Sequence, residues 1–267
     1  MQKTEQLEAL IQRWGKVIVG YSGGVDSTLV AFVANKMLGR NALIVLAATD
    51  TITPEDVDLA QSIANTHHFN FREITYNELE IKNYAENPVN RCYFCKQELY
   101  RQLGEIAKKE NFLYILDGAN LDDTGDYRPG RIAAKESLVR SPLIEIQFTK
   151  QDVRDAALFY GLPNHDKPSA PCLSSRIPYG TMIDRTSISM IAQAERYIRE
   201  KGFTNVRVRH FQTTAKIEVD AWAIPKLTTI FSDVQQYLKS LGYKEVLLDE
   251  EGFKSGKLNR EIVQNAK

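Results

Sequence analysis

The chain has 267 residues, enough for one large domain or two modest ones with a real hydrophobic core. Lysine plus arginine and aspartate plus glutamate each number 34, a formal net charge of zero that argues against a large nucleic-acid footprint. No apolar run approaches membrane-spanning length, the polar start leads into an amphipathic helix rather than a signal peptide, and three cysteines suit a reducing cytoplasm better than a disulfide framework.

Residues 16–20, Lys-Val-Ile-Val-Gly, predict a buried strand, and residues 28–38 predict a helix stopped by Gly39. Between them lies Tyr21-Ser22-Gly23-Gly24-Val25-Asp26-Ser27. Gly23 and Gly24 let the backbone turn sharply. Amides and the hydroxyls of Ser22, Ser27 and Thr28 can then converge at a helix N-terminus, where unpaired N–H groups and the helix dipole favour an anion such as phosphate. The loop lacks both GxGxxG and the lysine of GxxxxGK[ST].

Residues 42–48 predict a second strand. Thr53, Pro54, Glu55 and Asp56 then open a helix that runs to about 67. Further strands are predicted at 69–74 and 113–117, and a helix at 150–160. This alternation predicts an α/β domain with a parallel sheet flanked by helices, its ligands beyond the carboxyl ends of the strands. The turn Gly118-Ala119-Asn120-Leu121-Asp122-Asp123 follows one such end, so its polar residues are candidates for the cleft as well as plain turn formers.

Cys92 and Cys95 stand three apart at the start of a helix reaching about residue 110, where the dipole, Arg91 and Lys96 favour thiolate. Cys172 closes a proline-rich connector at 161–171 that divides the chain into domains 1–165 and 166–267. On the residues alone the cysteines fit a redox pair, a zinc site completed by a histidine, ordinary buried thiols, or a [4Fe–4S] cluster on three thiolates with one iron open. The second domain reads as a small α+β unit: helix 187–200, strands 205–211 and 215–219, helix 225–241 and strand 244–249. Arg207 and Arg209, two apart on a strand, share a face and offer paired guanidinium forks to a phosphate or carboxylate; the alternative is a solvated strand face.

Ser22-Gly23-Gly24-Val25-Asp26-Ser27 resembles the PP-loop of the ATP pyrophosphatases, which implies that ATP is split between its α and β phosphates and that Asp26 helps to place Mg²⁺. A fuller resemblance, to the LarE family of sulfur transferases, covers nearly the whole chain. It rests on that loop, Leu116-Asp117-Gly118, Asp126-Tyr127-Arg128-Pro129-Gly130, Cys172 with Ser174-Ser175-Arg176, Pro178-Tyr179-Gly180-Thr181, Val206-Arg207-Val208-Arg209, and Gly252-Phe253-Lys254-Ser255-Gly256.

The resemblance implies adenylation of a carboxylate of a pyridinium-3,5-biscarboxylic acid mononucleotide, then its conversion to a thiocarboxylate for the nickel-pincer cofactor. It assigns Ser22, Gly23, Gly24, Asp26, Ser27 and Gly118 to the nucleotide. Cys172, Asp26, Ser175 and Arg176 are assigned to the chemistry, and Ser175, Arg176, Glu195, Arg207, Arg209 and Glu218 to the substrate. Cys92, Cys95 and Cys172 are assigned as ligands of a [4Fe–4S] cluster, the alternative being a sacrificial Cys172. Sulfide or a sulfur-donor enzyme, a homo-oligomer, and no nucleic-acid or membrane partner complete the expectation. The rivals are a tRNA thiolase on the same loop, an amide-forming NAD or GMP synthetase, and a non-enzymatic nucleotide- or metal-binding module.

Overall fold

The structure, a computed structural model, describes residues 2–125, 129–168, 170–254 and 257. Asp126, Tyr127, Arg128, Ser255 and Gly256 of the family motifs lie outside these residues. Two compact units emerge, one from Met1–Ile81 with Asn90–Ala170, the other from Lys82–Val89 with Pro171–Lys267. The changeover at Ala170–Pro171 falls in the proline-rich stretch, whereas the transfer of Lys82–Val89 to the second unit has no signal in composition. Among the described residues no helix is long and apolar enough to cross a membrane.

In the first unit α1 (Gln2–Trp14) precedes β1 (Val17–Tyr21), α2 (Val25–Leu38), β2 (Ala42–Ala47), α3 (Pro54–Thr66) and β3 (Phe71–Ile74). Then come α4 (Arg91–Glu110), β4 (Tyr114–Leu116), α5 (Pro129–Glu136), α6 (Pro142–Glu145) and α7 (Lys150–Phe159). The sheet is parallel throughout, in the order β3-β2-β1-β4. β1 and β2 are near-continuous apolar runs because both faces are covered. Val17, Val19 and Tyr21 join the core that includes α1 and α2, while Ile18, Leu43 and Val45 pack with Tyr100, Leu103, Ala133 and Ala134 of α4 and α5. α5 and α6 have no counterpart in the sequence reading.

The strand order reverses between β1 and β4, so the carboxyl end of β1 opens on a switch point of the sheet, where doubly wound folds bind ligands. Gly118, just beyond β4, lies against the backbone there: a Cβ at this position would sit 2.6 Å from the amide nitrogen of Ser27.

In the second unit α8 (Arg185–Glu200) packs on β5 (Val206–Phe211) and β6 (Thr214–Val219), followed by α9 (Ile224–Thr229), α10 (Phe231–Ser240) and β7 (Glu245–Leu248). The sheet order is β5-β6-β7, with β5 antiparallel and β7 parallel to β6. The single helix expected at 225–241 is broken at Ile230. The Thr228 and Thr229 hydroxyls donate back to the carbonyls of Ile224 (3.0 Å) and Lys226 (2.8 Å), competing with helix continuation.

One side of this sheet is apolar core; the other carries buried charge. Glu195 of α8 is fully buried and receives Arg176 as a fork, Nε to Oε1 at 2.8 Å and Nη2 to Oε2 at 3.0 Å. Arg199 adds a bond at 2.6 Å and the Val208 amide another at 3.0 Å. Burial alone pushes the Glu195 carboxyl up, but the charge and hydrogen bonds of Arg176, then Arg199 and the Val208 amide, outweigh it and hold the pKa below the ordinary carboxylate value.

Two expectations follow from these contacts. Gly118→Ala must push the Ser27 backbone away, and the overpacking is expected to cost about 1–3 kcal/mol, read from the denaturant midpoint. Glu195→Gln leaves Arg176 buried beside a neutral amide and is expected to cost about 3 kcal/mol at neutral pH. Because the folded-state pKa is depressed, the carboxylate's contribution is complete above its unfolded value of 4.5 and is lost as pH falls through the lower folded value. The variant should therefore show a shallower acid-side loss of stability than the wild type; parallel stability–pH curves would refute this.

Candidate active site

The first constellation belongs to the first unit and is built on the loop between β1 and α2. Gly23 has φ +70°, and a side chain there would also meet the Ala60 methyl at 2.9 Å, so glycine is required twice over. Ser27 ties the loop: its hydroxyl accepts from the Ser22 amide (3.2 Å), lies 3.0 Å from the Ser22 hydroxyl and donates to the Gly24 carbonyl (3.1 Å). Gly24 is the N-cap of α2 and brings no side chain to that helix end. Asn164, 3 % exposed, donates to the Gly23 carbonyl and the Thr28 hydroxyl, each at 2.9 Å, fixing the loop from the connector side.

Asp26, in the first turn of α2, faces the switch point. Its Oδ1 accepts from Asn120 Nδ2 at 3.0 Å, and its Oδ2 is paired with Lys150 Nζ at 2.5 Å. Lys150 begins α7, and its backbone amide donates to Asp122 at 2.9 Å. Asn120 also caps the short turn after β4 reciprocally with Asp123. The polar residues of that turn thus brace Asp26 as well as forming the turn. The structure gathers Ser22, Gly23, Gly24, Asp26, Ser27 and Gly118 as the sequence predicts, and adds Lys150 and Asn164. Neither carries a sequence signal beyond its place at a helix start or in a connector. A carboxylate beside a loop that suits phosphate has the hard oxygen chemistry that fits Mg²⁺.

Cys92 and Cys95 lie in the opening of α4 as predicted, Cys92 exposed and Cys95 half-buried. Cys95 Sγ donates to Glu78 Oε1 at 3.1 Å, so the sulfur faces a carboxylate. Glu78 is 3 % exposed; its other oxygen accepts from Thr49 at 3.0 Å and from Thr51. Nothing in the sequence marks Glu78. Burial, then the charges of Cys95 and Glu78, drives the pKa of the neighbouring Tyr76 well above its ordinary value. Among the described residues no group of three or more His, Cys, Asp or Glu side chains is placed so as to hold a metal ion.

The second constellation belongs to the second unit. Cys172 precedes a single 3-10 turn, Leu173–Arg176. Arg176, only 2 % exposed, turns its third nitrogen inward to the carbonyls of Pro171 (2.5 Å) and Cys172 (3.0 Å) and to the Ser175 hydroxyl (3.0 Å). Arg209 reaches the same turn from β5, donating to the Ser175 carbonyl and to Glu218, each at 2.8 Å. Arg207, on the same face, bonds the Val206 carbonyl at 2.8 Å and lies over the Phe253 ring. Burial, then the charge of Arg176, pushes its pKa down to about 10. Cys172, Ser175, Arg176, Arg207, Arg209, Glu195 and Glu218 are therefore brought together. Within that group Glu195 and Glu218 are buried partners of arginines.

The NAD synthase family profile matches residues 4–102, the stretch holding the loop and the cysteine pair. The chain is 42% identical to an uncharacterized protein of Synechocystis over 98% of both. It is 37% identical to the pyridinium-3,5-bisthiocarboxylic acid mononucleotide synthase of Lactiplantibacillus plantarum, across 96% of this chain and 94% of that one. A probable tRNA sulfurtransferase of Methanosarcina mazei is more distant, 27% identical over 54% of this chain and 38% of its own length. Near-complete coverage at that identity, on an ATP-pyrophosphatase loop, shows that the chain belongs to the LarE family of ATP-dependent PP-loop sulfurtransferases.

Proposed function

We propose that the enzyme adenylates a carboxylate of pyridinium-3,5-biscarboxylic acid mononucleotide and replaces its hydroxyl oxygen with sulfur. The observation that carries this reading is the convergence of Arg176 and Arg209 on the turn that bears Cys172, with Arg207 beside them. A reactive thiol next to buried guanidinium groups suits an anionic substrate that must receive sulfur.

A free carboxylate is a poor electrophile. Attack of its oxygen on the α-phosphorus of ATP forms a mixed anhydride with AMP and releases pyrophosphate. The loop amides at Ser22–Ser27 stabilise the charge that develops on that leaving group. Asp26 would hold Mg²⁺, whose charge would neutralise the phosphates. Lys150, paired with Asp26, supplies beside the loop the cation that the loop sequence itself lacks. Sulfur then attacks the activated carbonyl and AMP departs. If the Cys172 sulfur itself attacks, a thioester forms; loss of the Cα proton and cleavage of the Cβ–S bond leave the thiocarboxylate and dehydroalanine at position 172.

The reading predicts that pyrophosphate release requires both ATP and the mononucleotide, and that Asp26→Asn slows it by about 100-fold or more. Lys150→Ala is expected to slow it by about tenfold or more while Tm stays within a few degrees, since the Lys150–Asp26 pair is partly exposed. Cys172→Ala should still release pyrophosphate but form no thiocarboxylate by mass spectrometry. Anaerobic purification with iron and sulfide analysis, then the protein mass after turnover, separates the sulfur sources. A loss equal to H₂S marks a sacrificial Cys172, whereas about four irons per chain and no mass loss mark a cluster on Cys92, Cys95 and Cys172. Thiolation of tRNA without turnover of the mononucleotide would sink the proposal.

A further inference from the structure

Lys82–Val89 lies in the first third of the sequence, yet it packs with the second unit, where hydrogen bonds join it to residues 174–183. Asn87 is fully buried with φ +55°, a left-handed conformation that asparagine tolerates. Its side-chain Nδ2 donates to three backbone carbonyls, those of Ile177 (3.2 Å), Pro178 (2.8 Å) and Thr181 (3.0 Å). Its own carbonyl accepts from the Gly180 amide at 2.9 Å, and the Ala85 carbonyl accepts from the Ile183 amide at 2.8 Å. At the other end of the segment the buried Tyr84 hydroxyl lies 2.8 Å from the hydroxyl of Ser174, itself fully buried.

The segment from Cys172 to Ile183 has a single 3-10 turn and pairs with no strand, so its buried carbonyls must find donors elsewhere. Asn87 supplies three of those bonds from one amide, and Tyr84 fixes the residue two places after Cys172. Arg176 and Arg209 grip the same turn through the carbonyls of Pro171, Cys172 and Ser175. The turn is thus held both by guanidinium groups and by the 82–89 strap, whose bonds to it come from the uncharged side chains of Tyr84 and Asn87 and from backbone carbonyls.

We propose that Asn87, supported by Tyr84, is a positioning residue that sets the placement and reactivity of the Cys172 turn. The proposal rests on the reading of Cys172 as the residue at which sulfur is delivered, and the test separates the two. Asn87→Gly keeps the left-handed backbone open and removes only the amide. Asn87→Asp keeps the shape but replaces the donating Nδ2 with an acceptor oxygen.

The full-length protein and both variants would be treated with iodoacetamide, and alkylation of each cysteine followed by mass spectrometry, with the exposed Cys92 as internal reference. Both variants are expected to change the Cys172 rate relative to Cys92 by about tenfold, the scale set by leaving buried carbonyls unpaired. The ratio of thiocarboxylate formed to pyrophosphate released should fall by a similar factor. A merely structural role would move both cysteines and both half-reactions together with Tm, and that outcome overturns the proposal. So does an unchanged Cys172 rate in both variants. A changed Cys172 rate with an unchanged product ratio supports the positioning role and overturns the reading of Cys172 as the sulfur-delivery residue. If Asn87→Gly fails to fold, Tyr84→Phe removes a single hydroxyl and takes the same readouts with the same outcomes.

Discussion

The nucleotide side of the molecule depends on how closely two backbones approach at the β1–β4 edge. Gly118 lies so near Ser27 that no side chain fits between them. That contact brings the turn after β4 against the first turn of α2, which is why Asn120 can brace Asp26 and why Asp122 can hold the amide of Lys150. Glycine at 23 performs the matching service on the far side, where Ala60 of α3 closes on the loop. The arrangement of the loop is therefore a result of packing: its amides and one carboxylate are aimed by contacts that tolerate no Cβ.

The second unit solves a different problem, keeping a cysteine-bearing turn in place without a strand or helix to carry it. Its solution is buried charge. Arg176 uses its fork on Glu195 and its remaining nitrogen on the turn, so one side chain links α8 to the carbonyl of Cys172. Arg209 links Glu218 of β6 to Ser175 in the same manner. A buried ion pair gives little net stability but costs several kcal/mol when one partner is removed. Such pairs impose a specific arrangement more than they add stability, which suits a turn that no strand or helix carries.

Sequence legibility followed how local each signal is. The apolar runs of β1 and β2, the Thr53–Pro54 cap and the glycine loop are short-range, and the structure realises them within a residue or two. The alternation of Arg207 and Arg209 placed both on one strand face. What escaped depends on tertiary approach. Lys150 reads as an ordinary first helical residue until the fold sets it against Asp26, and Glu78 as one more acid until Thr49, Thr51 and Cys95 close on it. Lys82–Val89 has no periodicity to follow, because its order comes from carbonyls about ninety positions away. The break at Ile230 shows the same limit, since threonine hydroxyls chose local backbone acceptors over a continuous helix.

Arg176, Arg207 and Arg209 are all buried in the second unit yet do different work. Arg176 and Arg209 each meet a carboxylate at 2.8 Å, so their charges are balanced within the protein. Arg207 bonds the Val206 carbonyl of its own strand and lies over the Phe253 ring, and burial, then the charge of Arg176, lowers its pKa to about 10. The pair read from the sequence as twin forks thus divides: Arg209, bonded to Glu218 and to the Ser175 carbonyl, orders the Cys172 turn, whereas Arg207 bonds back to its own strand and packs on an aromatic ring.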